Sequence, residues 1–280
     1  IYGDVMTMGK RKWEDFTLDV AIGGSINDKN VNSTRYDSKN ASLKYANVFN
    51  LANIVMNGSA SIDQKIDSRR QLQSVFGTAQ VGYQDKVFLD LTARNDWAST
   101  LAYTSHEKSG FFYPSAGLSF LIDKWIQLPE WISFAKLRGT YSKVGNDIPQ
   151  FITNSVSHIT AGGELQANDA APFKEMEPEM THSVEVGTEW RFFQSRLGFN
   201  LTYYRTNTHN QFFKLPALAG DMYAYRYVNA GDIQNRGWEL TVDATPVLTP
   251  DFTWKTSLNF SSNRNKIKEL HEELKELVYG

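Results

Sequence analysis

The stretch SVFGTAQVGYQDKVFLDLTAR, residues 74–94, decides the fold class. Val75, Gly77, Ala79, Val81 and Tyr83 fall on one side of an extended chain, and Ser74, Phe76, Thr78 and Gln80 fall on the other. Successive strand side chains point to opposite faces, so this period of two signals a strand rather than a helix. Gln84 and Asp85 then reverse the chain, and Val87, Leu89, Leu91 and Ala93 run back opposite Asp90, Thr92 and Arg94. The unit is a tight hairpin with one apolar and one largely polar face.

The same unit recurs on both sides of it. Phe16, Leu18, Val20 and Ile22 form an earlier strand, followed by a polar excursion over about residues 25–70. Phe112 to Ile122, Ala135 to Ser142, Ser183 to Trp190, Leu197 to Tyr204, Trp238 to Ala244 and Phe252 to Phe260 repeat the alternation. About nine strands result, each long enough for the ~9–11 residues of a tilted membrane crossing. Short connections at Gln84-Asp85, 123–131, 193–195 and 246–250 alternate with long polar excursions near 25–70, 145–180 and 207–235. Short turns on one side and long loops on the other are the asymmetry of outer-membrane barrels. Only the tail breaks the period: Ile267, Leu270, Leu274 and Leu277 recur at helical spacing and suggest a short amphipathic helix.

Composition agrees with strands that meet lipid. The 280 residues are 41% hydrophobic and 13% aromatic, with 17 Phe, 13 Tyr and 7 Trp, far more ring surface than a solvated chain leaves open. No run approaches the ~20 apolar residues of a helical span, but hydropathy scans barely register barrel strands. A net charge of −2 gives no pull toward phosphate backbones, which sets nucleic acid aside. The chain has no Cys, so disulfides, thiolate nucleophiles and Cys-ligated metals are excluded. A soluble all-β carbohydrate-binding or adhesin module is the competing class. It would share the alternation but not long excursions with rings crowded at strand ends.

Several segments resemble one family: NLAN at 50–53, RQLQSVFGTAQVGY at 70–83, VFLDLTARNDWAS at 87–99 and FYPS at 112–115. LRGTY at 137–141 leads to VGND at 144–147, followed by residues 179–187, NRGWE at 235–239 and FSSNRNKI at 260–267. In this order they resemble the SusC/RagA-like TonB-dependent outer-membrane receptors of Bacteroidetes. The resemblance implies an antiparallel transmembrane β-barrel of about 22 strands, of which this chain supplies part. It implies localisation in the outer membrane, contact with outer-membrane lipid, and import of oligosaccharides or peptides. The partners it implies are a SusD-like surface lipoprotein and the TonB-ExbB-ExbD system. Compared with the complete family protein, the expectation for residues 1–280 is a partial barrel domain without plug or closing C-terminal strands.

Two groups of residues carry functional expectations. Lys136, Arg138, Glu185, Glu189, Asp243 and Lys255 share the polar parity of their strands and are expected to face the lumen. Tyr103, Phe212, Phe213, Tyr223, Tyr225 and Tyr227 lie in or beside the long excursions, where rings can stack on sugars or pack on peptide side chains. The spacing of the last three tyrosines suggests one shared surface. The same rings could instead anchor loops to one another or to a partner lipoprotein.

No catalytic apparatus is expected. His106, His158, His182, His209 and His271 form no i,i+4 pair, and no Gly-x-Ser-x-Gly elbow, phosphate loop or dinucleotide fingerprint occurs. Glu185 and Glu189 share a face, yet ~13 Å of strand separates them, beyond glycosidase spacing. No cofactor is expected. Asp28, Asn30, Asn32 and Asp37, or Glu175, Glu177 and Glu179, offer calcium-type oxygens but lack EF-hand order, which favours solvated loops.

Overall fold

The computed structural model describes residues 1–37, 42–48, 50–55, 61–154, 156–159 and 165–269. Its strands are β1 (Tyr2–Lys12), β2 (Phe16–Asp37), β3 (Ser61–Tyr83), β4 (Val87–Ala98), β5 (Phe111–Leu121) and β6 (Ile132–Asn146). They continue as β7 (His158–Ile159), β8 (Leu165–Gln166), β9 (Glu179–Phe192), β10 (Leu197–Pro216), β11 (Tyr225–Leu248) and β12 (Thr253–Glu269). Ten of them form one antiparallel sheet in the order β1-β2-β3-β4-β5-β6-β9-β10-β11-β12, while β7 and β8 pair separately within the connection from β6 to β9. Every neighbour in the large sheet is also the next large strand in sequence, so the chain is an up-and-down meander.

The sheet has ten strands where the sequence reading expects about nine, because β1 escapes the periodic pattern. On β1, Met6 and Met8 fall between Asp4 and Lys10 on one face, and Val5 shares the other with Gly3 and Gly9. Neither face is clearly apolar, and the partner β2 supplies the order, with Tyr2 opposite Asn27 and Lys12 opposite Thr17.

The strands also outrun their expected ends. β10 and β11 have 20 and 24 residues and stay paired from Leu197 with Ala244 up to Pro216 with Tyr225. The excursion expected over 207–235 is thus mostly strand, with a connection only at 217–224. β2 and β3 likewise reach Asp37 and Ser61, well inside the expected 25–70 loop. Polar residues on both faces conceal these extensions, since alternation appears only where one face is apolar.

At the other end, β11 runs through Pro246 to Leu248, so the turn is 249–252 rather than 246–250. Pro246 lacks an N–H and sits at the register shift between Ala244 and Val247, where no ladder bond is demanded of it. The expected tail helix begins too early, because Ile267 belongs to β12 and pairs with Ile233. Residues 270–280 lie outside the described residues.

The register sorts side chains into two continuous faces. One row reads Asp19, Gln80, Asp90, Gly117, Thr140, Glu185, Tyr204, Gly237 and Asn263 across the ten-stranded sheet from β2 onward. The opposite face carries Leu18, Val81, Leu89, Leu118, Val186, Tyr203 and Trp238. Large apolar side chains on this second face are open: Ile22 is 61% exposed and Leu258 is 67% exposed. A sheet with one apolar face uncovered along its whole width must meet either another layer or lipid.

Candidate functional site

Rings gather along the short-turn edge of the sheet. Phe16 and Tyr83 lie 4.9 Å apart, Phe120 and Trp125 5.3 Å, and Trp131 and Phe192 5.7 Å. Phe192 also meets Phe199 at 6.0 Å, which carries the chain of rings onto β10. Cationic side chains sit beside them, with Lys86 Nζ 5.2 Å from the Trp125 ring. Toward the loop end, Tyr203 and Trp238 pair at 4.8 Å on the apolar face. Aliphatic residues between two aromatic borders form the pattern of a barrel wall in a bilayer.

All six charged residues singled out from the sequence fall on the polar face. Register links Lys136 with Glu189 and Glu189 with Asn200, and it links Thr140 with Glu185. Asp243 pairs with Ser257, and Lys255 shares the parity of Ser257 on β12. Glu189 Oε1 accepts from Arg191 Nη2 at 2.7 Å, while Arg138 Nη2 donates to Thr202 Oγ1 at 2.7 Å. A depression of about 310 Å³ on this face is lined by Glu189, Arg191, Asn200, Thr241 and Asp243.

At the loop end, the connections from β4 to β5 and from β6 to β9 fold over the polar face. Their packing core is Ala98, Leu101, Phe111, Ile148, Ile152 and Met176, with Leu101 and Met176 fully buried. Asp147 ties the connections together: it accepts from Arg70 on β3, from Thr100 in the β4-β5 connection, and from the Ile148 N–H at 2.7 Å. In the sequence Asp147 stands out only as part of the VGND segment, since a lone acid at a strand end gives no local sign of such a role. In the loop-side half of β2 and β3, Asp28 accepts from Arg69 Nε at 3.0 Å and Gln71 Nε2 at 3.1 Å, and the Arg69 guanidinium holds its carboxyl down to about 2.

The six candidate ligand rings do not form one surface. Phe212 and Tyr227 pack against the buried cluster, so they brace the loops. Tyr225 is 38% exposed, takes Lys214 Nζ 4.2 Å from its ring centre, and has its backbone clamped by Asp169 and Ala171. Tyr223 lies in the turn before β11 rather than on the strand, which breaks the expected three-ring alignment. Phe213 pairs with Val228, and Tyr103 is 69% exposed in the β4-β5 connection with φ of 69°. The calcium-type oxygens are separately occupied: Glu177 Oε2 accepts from Asn210 and Glu179 Oε1 from Asn146. Among the described residues no three acidic or His side chains gather as a metal site.

Comparison with known proteins adds a lineage to this geometry. Residues 3–270 match the family model described as TonB dependent receptor-like, beta-barrel. The chain is 30% identical over 210 residues to TonB-dependent receptor P26 of Formosa agariphila, covering 71% of this chain and 21% of that protein. It is 25% identical over 218 residues to TonB-dependent receptor SusC of Bacteroides thetaiotaomicron, covering 72% of this chain and 21% of that one. The chain therefore spans about a fifth of the length of these curated relatives. Among solved structures, the RagAB peptide importer in its open-open state superposes with a TM-score of 0.81 at 19% identity, over 99% of this chain and 30% of that one. Receptor ancestry, rather than any missing motif, sets aside both an enzyme and a soluble binding module. The chain belongs to the TonB-dependent receptor-like β-barrel family of the bacterial outer membrane.

Proposed function

We propose that this chain forms part of the transmembrane barrel wall, with its outer loops, of a receptor that imports oligosaccharides or peptides under TonB drive. The observation that carries the reading is the two-faced sheet: one continuous polar face, one open apolar face bordered by rings, and long connections folded over the polar side at one end only. In the complete barrel of about 22 strands, Lys136, Arg138, Glu185, Glu189, Asp243 and Lys255 face the lumen and its plug. Charged groups there keep their hydration, which the apolar face in lipid would deny them. The short turns face the periplasm and the long connections face outside.

The relatives support a nutrient cargo, since one solved neighbour is named a peptide importer and one curated relative is SusC. Tyr103, Tyr223 and Tyr225 offer rings to the ligand, Phe212 and Tyr227 hold the loops that present them, and Phe213 stands on the outward face of β10. A SusD-like lipoprotein covers the mouth, and the TonB-ExbB-ExbD system acts through the plug. Uptake of labelled oligosaccharide and peptide pools by cells carrying the complete receptor tests this directly. Saturable uptake abolished by a protonophore is expected. Uptake that persists without the proton gradient would contradict energised import.

A further inference from the structure

The apolar face carries a row of like charges that the strands do nothing to neutralise. Arg205 on β10 pairs across the ladder with Arg236 on β11, and Arg236 pairs with Arg264 on β12. Paired residues in neighbouring strands project to the same side with Cβ atoms ~5 Å apart, and like charges so placed repel. Arg205 Nε donates to Asn207 Oδ1 at 3.1 Å, a neutral acceptor. Among the described residues neither Arg236 nor Arg264 has a carboxylate within ion-pair distance. The nearest acid on this face of β11 is Asp232, four residues and roughly 13 Å from Arg236 along the strand. It already accepts from Asn207 Nδ2 at 2.9 Å and has His209 at 3.9 Å. Lys266 stands one step above Arg264 on the same face and adds to the positive field.

Immediately below this row the surface changes character. Tyr203 and Trp238 precede and follow Arg205 and Arg236 by two residues, on the same face. They border an apolar depression of about 430 Å³ lined by Leu137, Val186, Thr188, Leu201, Tyr203 and Trp238. A greasy recess topped by three arginines at the level of a Tyr–Trp border is shaped for an amphiphile, not for a free ion. Arginine also matches phosphate geometry better than any other side chain.

We propose that this outward face holds a lipid with a phosphorylated headgroup, its acyl chain in the recess and its phosphate across Arg205, Arg236 and Arg264. This rests on the reading above that the apolar face meets the bilayer. The arginines come from three strands and the recess draws in β6 and β9 as well, positions far apart in sequence, which is why no local motif marks the site. The bound phosphate supplies the counter-charge that the ladder lacks.

The test uses the complete receptor purified in detergent, with purified lipid A carrying both phosphates as the probe and native mass spectrometry as the readout. The unmodified receptor is expected to retain lipid A. A variant with Arg205→Gln, Arg236→Gln and Arg264→Gln should retain it at least about 10-fold less, while the three Arg→Lys changes should keep most of it. Phosphate-free lipid A should bind weakly, and millimolar inorganic phosphate should not displace the lipid. Equal retention by the Gln variant overturns the proposal, as does equal binding of the phosphate-free lipid. Displacement by inorganic phosphate would mark a free-anion site and overturn it as well. Resistance of the folded barrel to unfolding on unheated gels checks each variant, and Arg236→Gln alone, expected to weaken retention several-fold, serves if the triple variant does not fold. Fluorescent labels at Val186 and Leu201 separate the two layers of the argument. Failure of brominated lipids to quench them sinks the membrane reading, whereas quenching with unchanged lipid A retention sinks only the headgroup site.

Discussion

Arg138 reaches across β9 to donate to Thr202 Oγ1 on β10 at 2.7 Å, passing over Gly187, which stands between them in the register. A Cβ at Gly187 would lie 2.7 Å from Arg138 Nε and 3.1 Å from Thr202 Oγ1, so the absence of a side chain is what opens the path. Gly187→Val should expel the guanidinium and cost about 1–2 kcal/mol in urea unfolding of the complete receptor in vesicles. Pairing it with Arg138→Ala, which removes the side chain beyond Cβ and with it the obstruction, should recover part of that loss. Strictly additive costs would mean that the two positions do not share this contact.

The Asp28 carboxyl, toward the loop-side end of β2, gives a pH signature. Its acidity is strengthened to about 2 from 3.8, chiefly by the hydrogen bond from Arg69. A depressed carboxylate contributes stability above its unfolded value, and that contribution disappears as pH falls from about 4 through about 2. Selective NMR of the complete receptor should find Asp28 titrating near pH 2, and Arg69→Gln should move it back toward 3.8. An Asp28 midpoint near 4 in the unmodified receptor would show that the pair does not persist in solution.

The ring groups should separate by phenotype. Phe212→Ala or Tyr227→Ala removes a wedge from the cluster around Leu101 and Met176, costing about 1–3 kcal/mol locally. Proteolysis within residues 147–178 should accelerate at unchanged surface abundance. Tyr223→Ala with Tyr225→Ala should leave that cleavage rate unchanged and weaken ligand binding by about 10-fold. If both pairs accelerate cleavage equally, the division between bracing and contacting rings is wrong.

Much of this wall was legible in the sequence wherever one face is apolar. The hairpin at Val75 to Arg94 and the parity of Lys136, Arg138, Glu185 and Glu189 appear in the register as read. β1 and the upper halves of β10 and β11 were not legible, because strands with polar residues on both faces have no alternation to betray them. The mouth cluster was hidden for another reason. Phe111 opens β5 while Ile148 and Met176 stand near opposite ends of the β6-β9 connection, and they meet only when that connection folds over the sheet. Tyr223 was misplaced because spacing alone cannot tell the last turn residue from the first strand residue.

Topology is checked by labelling intact cells. Single Cys residues at Tyr103 and Met222, which is 93% exposed, should react with an impermeant maleimide, while Cys at Lys86 or Gln194 should react only after the outer membrane is opened. Reaction of the short-turn sites alone in intact cells would invert the assigned orientation.

One face of this sheet is expected to meet lipid and the other water. Spin labels placed one at a time from Gly198 to Tyr204 on β10 of the complete receptor in bilayers distinguish the two faces. Leu201 and Tyr203 should be relaxed by dissolved oxygen, which concentrates in lipid, and Asn200 and Thr202 by a water-soluble nickel chelate, the two profiles oscillating with a period of two and opposite phase. Oscillation in the reverse phase, or none, would contradict that assignment of the faces.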